Sequence, residues 1–224
     1  MAFSRYRMRF EKRGALRFIS HHDLMRVFEL ALRRSGLNVA YTQGFNPHPK
    51  VSFALALPLG VESLDEIVDI DLQHDLESPA PEFVVDELAR QMPAGLTLKQ
   101  AELATGRPRV IAADYECELP PELDTQELQT RLEVFLAQAG HAFSRSRGEK
   151  KPARNFDARE FTLAASIEAR ALNMRLKAGQ DGGMKPSDLL QILGLDPNRL
   201  LVTKTRTILA DAQTEAEALE EHDT

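Results

Sequence analysis

Cysteine is nearly absent: Cys117 is the only one among 224 residues. Disulfides within the chain are thereby excluded, and so are zinc or iron–sulfur sites built on several thiolates. Tryptophan is missing and aromatic residues amount to 6%, which leaves few rings on which nucleic-acid bases could stack. No apolar run approaches the roughly 18 residues that cross a bilayer. The arginine-rich start is not followed by the apolar stretch of a signal peptide. These absences predict a soluble, unprocessed protein of a reducing cytoplasm, with no membrane partner. What is present suits one large domain or two small ones, since 43% hydrophobic residues can fill a core.

The net charge of −6 conceals segregation. Residues 1–60 carry 10 Lys/Arg against 3 Asp/Glu, and residues 61–142 carry 5 against 18. Residues 143–206 carry 13 against 7, and the last 18 residues carry 0 against 6. Such alternation means either nucleic-acid binding by the basic blocks or neutralisation of one block by another.

Periodicity gives the architecture. "RYRMRF" alternates Arg5, Arg7 and Arg9 with Tyr6, Met8 and Phe10, as a half-buried strand does. Ser20 then caps a helix whose apolar face is Leu24, Val27, Phe28, Ala31 and Leu32, and Gly36 stops it. "VSFALALP" reads as a buried strand, "EIVDIDLQ" as an alternating one, "PEFVVDELARQM" as a second helix and "LTLKQAELA" as a closing strand. After "TGRPRV" the same order recurs in "ADYECELP", "DTQELQTRLEVFLAQAG", "EFTLAASIEARALNMRLKAG", "KPSDLLQILGL" and "LLVTKTRTIL". The predicted fold is α+β: two tandem ferredoxin-like (βαββαβ) units with antiparallel sheets and helices on one face, over residues 1–106 and 107–210. An acidic tail, 211–224, follows. Residues 141–166 fit least well, with "RSRGEKKPARNFD" as an extended hairpin or a mobile loop.

In this plan the first and third strands are neighbours. Arg5, Arg7 and Arg9 would face Asp69 and Asp71 in the first unit, and Asp114, Glu116 and Glu118 would face Arg175 and Lys177 in the second. An ion-paired sheet face is expected, with a nucleic-acid platform as the alternative. The cations left without an evident partner are Lys12, Arg13, Arg17, Arg26, Arg33, Arg34, Arg145, Arg147, Lys150, Lys151, Arg154 and Arg159. Of these, Arg26 and the segment Arg145, Arg147, Lys150, Lys151 and Arg154, together with Lys50, are candidates for phosphate or RNA contact.

"SHHDL" and "GFNPHPK" supply the other candidates. The prolines hold Asn46 and His48 extended, and His21, His22, Asp23, Asn46 and His48 form a prospective ligand or partner surface. Two histidines could also serve as base and acid in metal-independent RNA cleavage. Against this, a helix of about 17 residues rises roughly 25 Å and sends the Gly44–Lys50 loop to its far end. The helix's positive end should also keep His21 or His22 neutral. "GQDGGMKPSD" precedes a helix N-terminus but lacks the phosphate-loop spacing, so a connection is expected there.

The stretch "RFISHHDLMRVFELALRRSGLNVAYTQGFNPHPKVSFALALPLGVES", Arg17 to Ser63, closely resembles the N-terminal signature of the radical-SAM-associated (radical-SAM-linked) family of bacterial proteins. That domain of unknown function occurs alone or fused behind a radical SAM enzyme, often near genes for an RNase E/G-type ribonuclease and ribosomal proteins. The resemblance implies a radical SAM enzyme as partner in trans and a link to RNA or a ribosomal component. A radical SAM cluster needs three cysteines, so this chain cannot be that enzyme. The expectation is a non-catalytic accessory or substrate-recognition protein with no cofactor and no metal. The alternatives are a small endoribonuclease using His21 and His22, and a protein-docking module without RNA binding.

Overall fold

Alternation in "AFSRYRMRFEK" decides the first strand. Tyr6, Met8 and Phe10 are fully buried while Arg5, Arg7 and Arg9 share the opposite face of β1 (Ala2–Lys12). The computed structural model describes residues 2–75, 77–146, 152–179 and 183–210. Arg147, Lys150, Lys151, part of "GQDGGMKPSD" and the acidic tail lie outside these. The chain divides into two units, one ending at Arg109 and one beginning at Val110. Both are mixed α+β with antiparallel strands, and five α-helices are described in all.

In the first unit β1 leads through a short 3-10 turn to α1 (His21–Arg34), then to β2 (Val51–Phe53), β3 (Glu62–His74), α2 (Pro81–Ala89) and β4 (Leu96–Leu103). The strand order is β4-β1-β3-β2, every pair antiparallel. Tyr6, Met8 and Phe10 join Val68, Ile70 and Leu72 of β3 in one core with Leu24, Phe28 and Leu32 of α1 and Val84 and Leu88 of α2. Both helices therefore cover the same face of the sheet. The opposite face carries the arginines.

The second unit repeats the order with an insertion. β5 (Val110–Glu118) is followed by α3 (Thr125–Leu136), capped by the Asp124 carboxylate. A hairpin, β6 (Ala142–Arg145) with β7 (Arg154–Asp157), and the short α4 (Ala158–Phe161) come next. Then β8 (Thr162–Glu168), β9 (Ala171–Lys177), α5 (Pro186–Ile192) and β10 (Val202–Leu209) complete a sheet ordered β10-β5-β9-β8. Ala169 and Arg170 turn β8 into β9 at positive φ, 47° and 61°, the backbone of a two-residue type I′ hairpin usually left to Asn or Gly. The Arg170 guanidinium secures that turn by donating to the carbonyls of Pro120 and Leu123.

Two sequence expectations are corrected and a third is narrowed. "VSFALALP" supplies only Val51–Phe53 to the sheet, because Pro58 to Val61 is taken by a turn with Gly60 at φ 83°, closed by the Val61 amide on the Pro58 carbonyl at 3.3 Å. The segment 141–166 holds the hairpin β6–β7, one of its two expected forms, followed by α4 and the start of β8. On the second sheet face only Arg175 meets Asp114, at 2.7 and 2.9 Å; Glu116 lies opposite Asn173, Glu118 opposite Ala171, and Lys177 reaches Glu160 at 3.7 Å instead.

The first sheet face follows the expected pairing and extends it. Arg5 forks onto Asp71 at 2.8 and 3.2 Å and Arg7 onto Asp69 at 2.9 and 3.1 Å, while Arg9 donates from the single nitrogen Nη1 to both Asp65 oxygens at 2.6 and 2.7 Å. The Arg7 and Asp69 side chains are only 14% and 3% exposed, so removing one partner strands a buried charge. Arg7→Met should cost about 3 kcal/mol in denaturant unfolding, whereas Arg7→Met with Asp69→Leu should regain most of that loss. A double-variant loss equal to the sum of the Arg7→Met and Asp69→Leu losses would show that the pair itself contributes no coupling.

Candidate binding surface

α1 begins where Ser20 and Asp23 cap each other. The Ser20 hydroxyl accepts from the Asp23 amide at 3.1 Å, and the Asp23 carboxylate takes the Ser20 amide at 3.3 Å and hydroxyl at 2.7 Å. These bonds hold the Asp23 carboxyl below its usual range, and its role is to start the helix. His22 is exposed, while His21 is half-buried with its ring edge-on to Phe53 at 5.3 Å. Burial, then the neighbouring His22, pushes the His21 imidazole below its ordinary pKa; Lys12 acts in the same direction and Glu66 against it. The neutral imidazole expected from the helix dipole thus has burial as its main cause. Lys12 and Glu66 are each 2% exposed, and burial lowers the Lys12 ammonium against the pull of Glu66. The Lys12 Nζ also donates to the Ile19 carbonyl at 3.3 Å.

The "GFNPHPK" segment is a clasp stitched at its base. Tyr41 and Pro49 form a bridge, the Thr42 amide donates to the His48 carbonyl at 2.9 Å, and the His48 amide donates to the Thr42 hydroxyl at 3.0 Å. Below them the Lys50 amide reaches the Ala40 carbonyl at 2.8 Å and the Asp71 amide reaches the Lys50 carbonyl at 3.2 Å. Those bonds tie the clasp to β3. Its tip projects: Gly44 takes φ 135°, Asn46 is exposed, and Phe45 is fully exposed at 105%.

The histidines do not converge. His48 Nδ1 lies 3.7 Å from Glu29 Oε1 on α1, and Glu29 is eight residues, about 12 Å of helix rise, beyond His21. Arg26 and Arg33 stand three residues before and four after Glu29, on the same helix flank, and both are exposed. The base of the clasp, at His48, therefore meets the α1 flank that carries two exposed guanidinium groups. No ion pair is found for Arg26, Arg33 or Arg34 among the described residues.

Other basic candidates are engaged. Arg145 grips Asp188, itself 2% exposed, donates to the Gly183 carbonyl at 2.9 Å and lies 4.9 Å over the Phe156 ring. It joins the hairpin to the start of α5. Arg154 covers the same ring at 5.9 Å. Arg17 meets Glu62 at 3.4 Å, and Arg13 lies 3.8 Å from Glu62 and 3.9 Å from Glu11. Lys50 is half-buried with its ammonium 5.1 Å from the Phe3 ring. Phe45 and Phe3 were not singled out by sequence reasoning. The first could have been found as an aromatic inside a polar proline loop, the second by extending the β1 alternation two residues back.

Among the described residues no three His, Cys, Asp or Glu groups gather to hold a metal ion. Cys117 is buried and its thiol is pushed up to about 11, so it is no thiolate at neutral pH. No described helix is long and apolar enough to cross a membrane. A family model described as an uncharacterized protein conserved in bacteria (DUF2344) matches residues 5–186. The chain belongs to this family. No curated protein matches it. The DUF2344 match takes in the cap, the clasp, the ion-paired face of the first sheet and the hairpin of the second unit.

The lowered His21 value has a sign. An imidazole whose folded pKa lies below its unfolded value of about 6.5 contributes stability above that pH and loses it as the pH falls through 6.5. Between pH 7.5 and 5 the wild type should lose more unfolding free energy than His21→Gln. Parallel stability curves would remove His21 from the account.

Proposed function

We propose that this chain is a binding protein without chemistry of its own, which holds an RNA segment, ribosomal RNA included, for a radical SAM enzyme in the bacterial cytoplasm. The radical SAM partner rests on the resemblance carried by Arg17–Ser63. The binding role rests on the clasp: a fully exposed Phe45 three residues before His48, which leans on Glu29 between the unpaired Arg26 and Arg33. An exposed ring on a clasp whose base borders two cations suits single-stranded RNA, where stacking is worth about 1–3 kcal/mol per base and arginines meet phosphates. His22 and Asn46 flank this surface as polar contacts.

We read both units as ferredoxin-like, the second carrying β6–β7 as an insertion. Proteins of that plan often bind RNA on the open sheet face, but here Arg5, Arg7 and Arg9 are committed to carboxylates. The clasp and α1 are the better contact. The endoribonuclease reading needs two histidines at one phosphate, and His48 sits at Glu29, away from His21.

Fluorescence anisotropy with a labelled 12-nucleotide single-stranded RNA tests the reading. Phe45→Ala should weaken binding about tenfold, and Arg26→Gln with Arg33→Gln should flatten the salt slope by about 1.4, or about 0.7 per phosphate contact. The RNA should remain intact. Absence of binding at low salt, or variants indistinguishable from wild type, would overturn RNA recognition and leave protein docking; cleavage lost in His21→Ala would instead establish the nuclease.

A further inference from the structure

We propose that a cleft of about 350 Å³ in the first unit is a mononucleotide site, binding phosphate through Lys50 and Arg107 and the base against Phe3. The site is distinct from the clasp tip and does not depend on the RNA reading.

The inference rests on which polar groups in the cleft are already committed. Two carboxylates, Asp69 and Asp71, line it, and without partners they would attract cations. Both oxygens of each are gripped: Arg5 holds Asp71 at 2.8 and 3.2 Å, and Arg7 holds Asp69 at 2.9 and 3.1 Å. The remaining Arg5 terminal nitrogen donates to the Gly106 carbonyl at 3.2 Å. Positive and negative charge on the floor thus cancel within the protein. Around that floor stand groups with hydrogens to give. Lys50 has an aromatic face as its neighbour and no carboxylate within ion-pair distance among the described residues, and exposed Arg107 has neither an ion pair nor a hydrogen bond there. The Thr42 hydroxyl accepts from His48 and keeps its proton for donation, and the exposed Ser52 contributes a second hydroxyl.

A lining with spent acceptors and unspent donors calls for an anion bearing several acceptor oxygens. A phosphate monoester fits, because an arginine fork and a lysine point charge can both meet it while two hydroxyls take further oxygens. The ring is the second half of the site. Phe3 is 58% exposed, stands on the same face of β1 as Arg5, and has the Lys50 ammonium 5.1 Å from its centre. A flat apolar surface next to a phosphate wall matches a nucleobase next to its phosphate. The volume is at the small end of ligand pockets, about 300–1,000 Å³, which suits one nucleotide.

Calorimetry on the full chain tests this with AMP, GMP, CMP and UMP, the matching nucleosides and inorganic phosphate as probes. At least one monophosphate should bind with a Kd below about 1 mM, and about tenfold more tightly than its nucleoside or inorganic phosphate. Arg107→Gln and Lys50→Met, checked by thermal melting for intact folding, should each weaken it about tenfold, and Phe3→Ala should bring it towards inorganic phosphate. Phe45→Ala should leave it unchanged, which separates this site from the clasp. A 5′-phosphorylated trinucleotide, compared with its 5′-hydroxyl form, distinguishes the source. Arg107-dependent binding of the phosphorylated form assigns the site to an RNA 5′ end, and binding of the monophosphate alone assigns it to free nucleotides. No monophosphate binding, binding indifferent to Arg107→Gln, or inorganic phosphate bound as tightly as the nucleotide would each overturn the proposal.

Discussion

Two guanidinium–carboxylate forks and a diagonal ion pair between β1 and β3 decide most of what the first unit can be. Arg5 and Arg7 sit across from Asp71 and Asp69 and fork onto them, while Arg9, opposite Ile67, reaches diagonally to both oxygens of Asp65 through Nη1. A slip of β1 by one residue would turn its three arginines into the core and bring Tyr6, Met8 and Phe10 out of it, leaving the aspartates of β3 without partners. The ladder thus fixes the register of the two central strands as firmly as the apolar side does. Asp69 and Asp71 are 3% and 5% exposed, and carboxylates that far from water need their forks.

The same ladder redirects function. A sheet face with three free arginines would be an electrostatic platform for nucleic acid, whereas a face of closed forks presents little net field. In the proposed reading, binding charge would then come from elsewhere in the first unit: the α1 flank at Arg26 and Arg33, and the cleft rim at Lys50 and Arg107. Both rely on the clasp, which leans on α1 through His48 and Glu29 and carries Lys50 at its base. The prolines of "GFNPHPK" account for its extended course, and the backbone bonds to β3 and Ala40 for its anchorage.

Much of this was readable from the sequence where period and capping speak. Ser20, Asp124 and Gly36 mark helix ends, and the alternation of "RYRMRF" and "EIVDIDLQ" implies not only two strands but their ion pairs, since like-spaced opposite charges on one sheet face must meet once the strands are neighbours. Long-range partners were not readable. Nothing near Arg145 announces Asp188, 43 residues on, and so an arginine that anchors a hairpin looks like a free cation. "VSFALALP" misleads for a related reason: an apolar run suggests a buried strand, yet none of its residues is fully buried and only three join the sheet before Pro58 and Gly60 turn the chain. The site suffered most. His21 and His48 look like a pair in composition, and only the loop's path shows that one meets Phe53 and the other Glu29.

The two units repeat one order of elements and differ in what was added to it. The second has a hairpin after its first helix, and Arg145 ties that hairpin to Asp188 at the start of α5. Its described sheet face holds one arginine–aspartate pair, Arg175 with Asp114, rather than three. The first has the clasp between its first helix and second strand, with an exposed ring at the tip and, along the helix its base meets, cations for which no ion pair is found among the described residues. An arginine drawn onto a buried carboxylate stabilises a fold but gives up its donors, whereas an exposed one keeps them for a ligand. Since the described charge of the hairpin is turned inward and that of the clasp outward, recognition is expected to concentrate in the first unit.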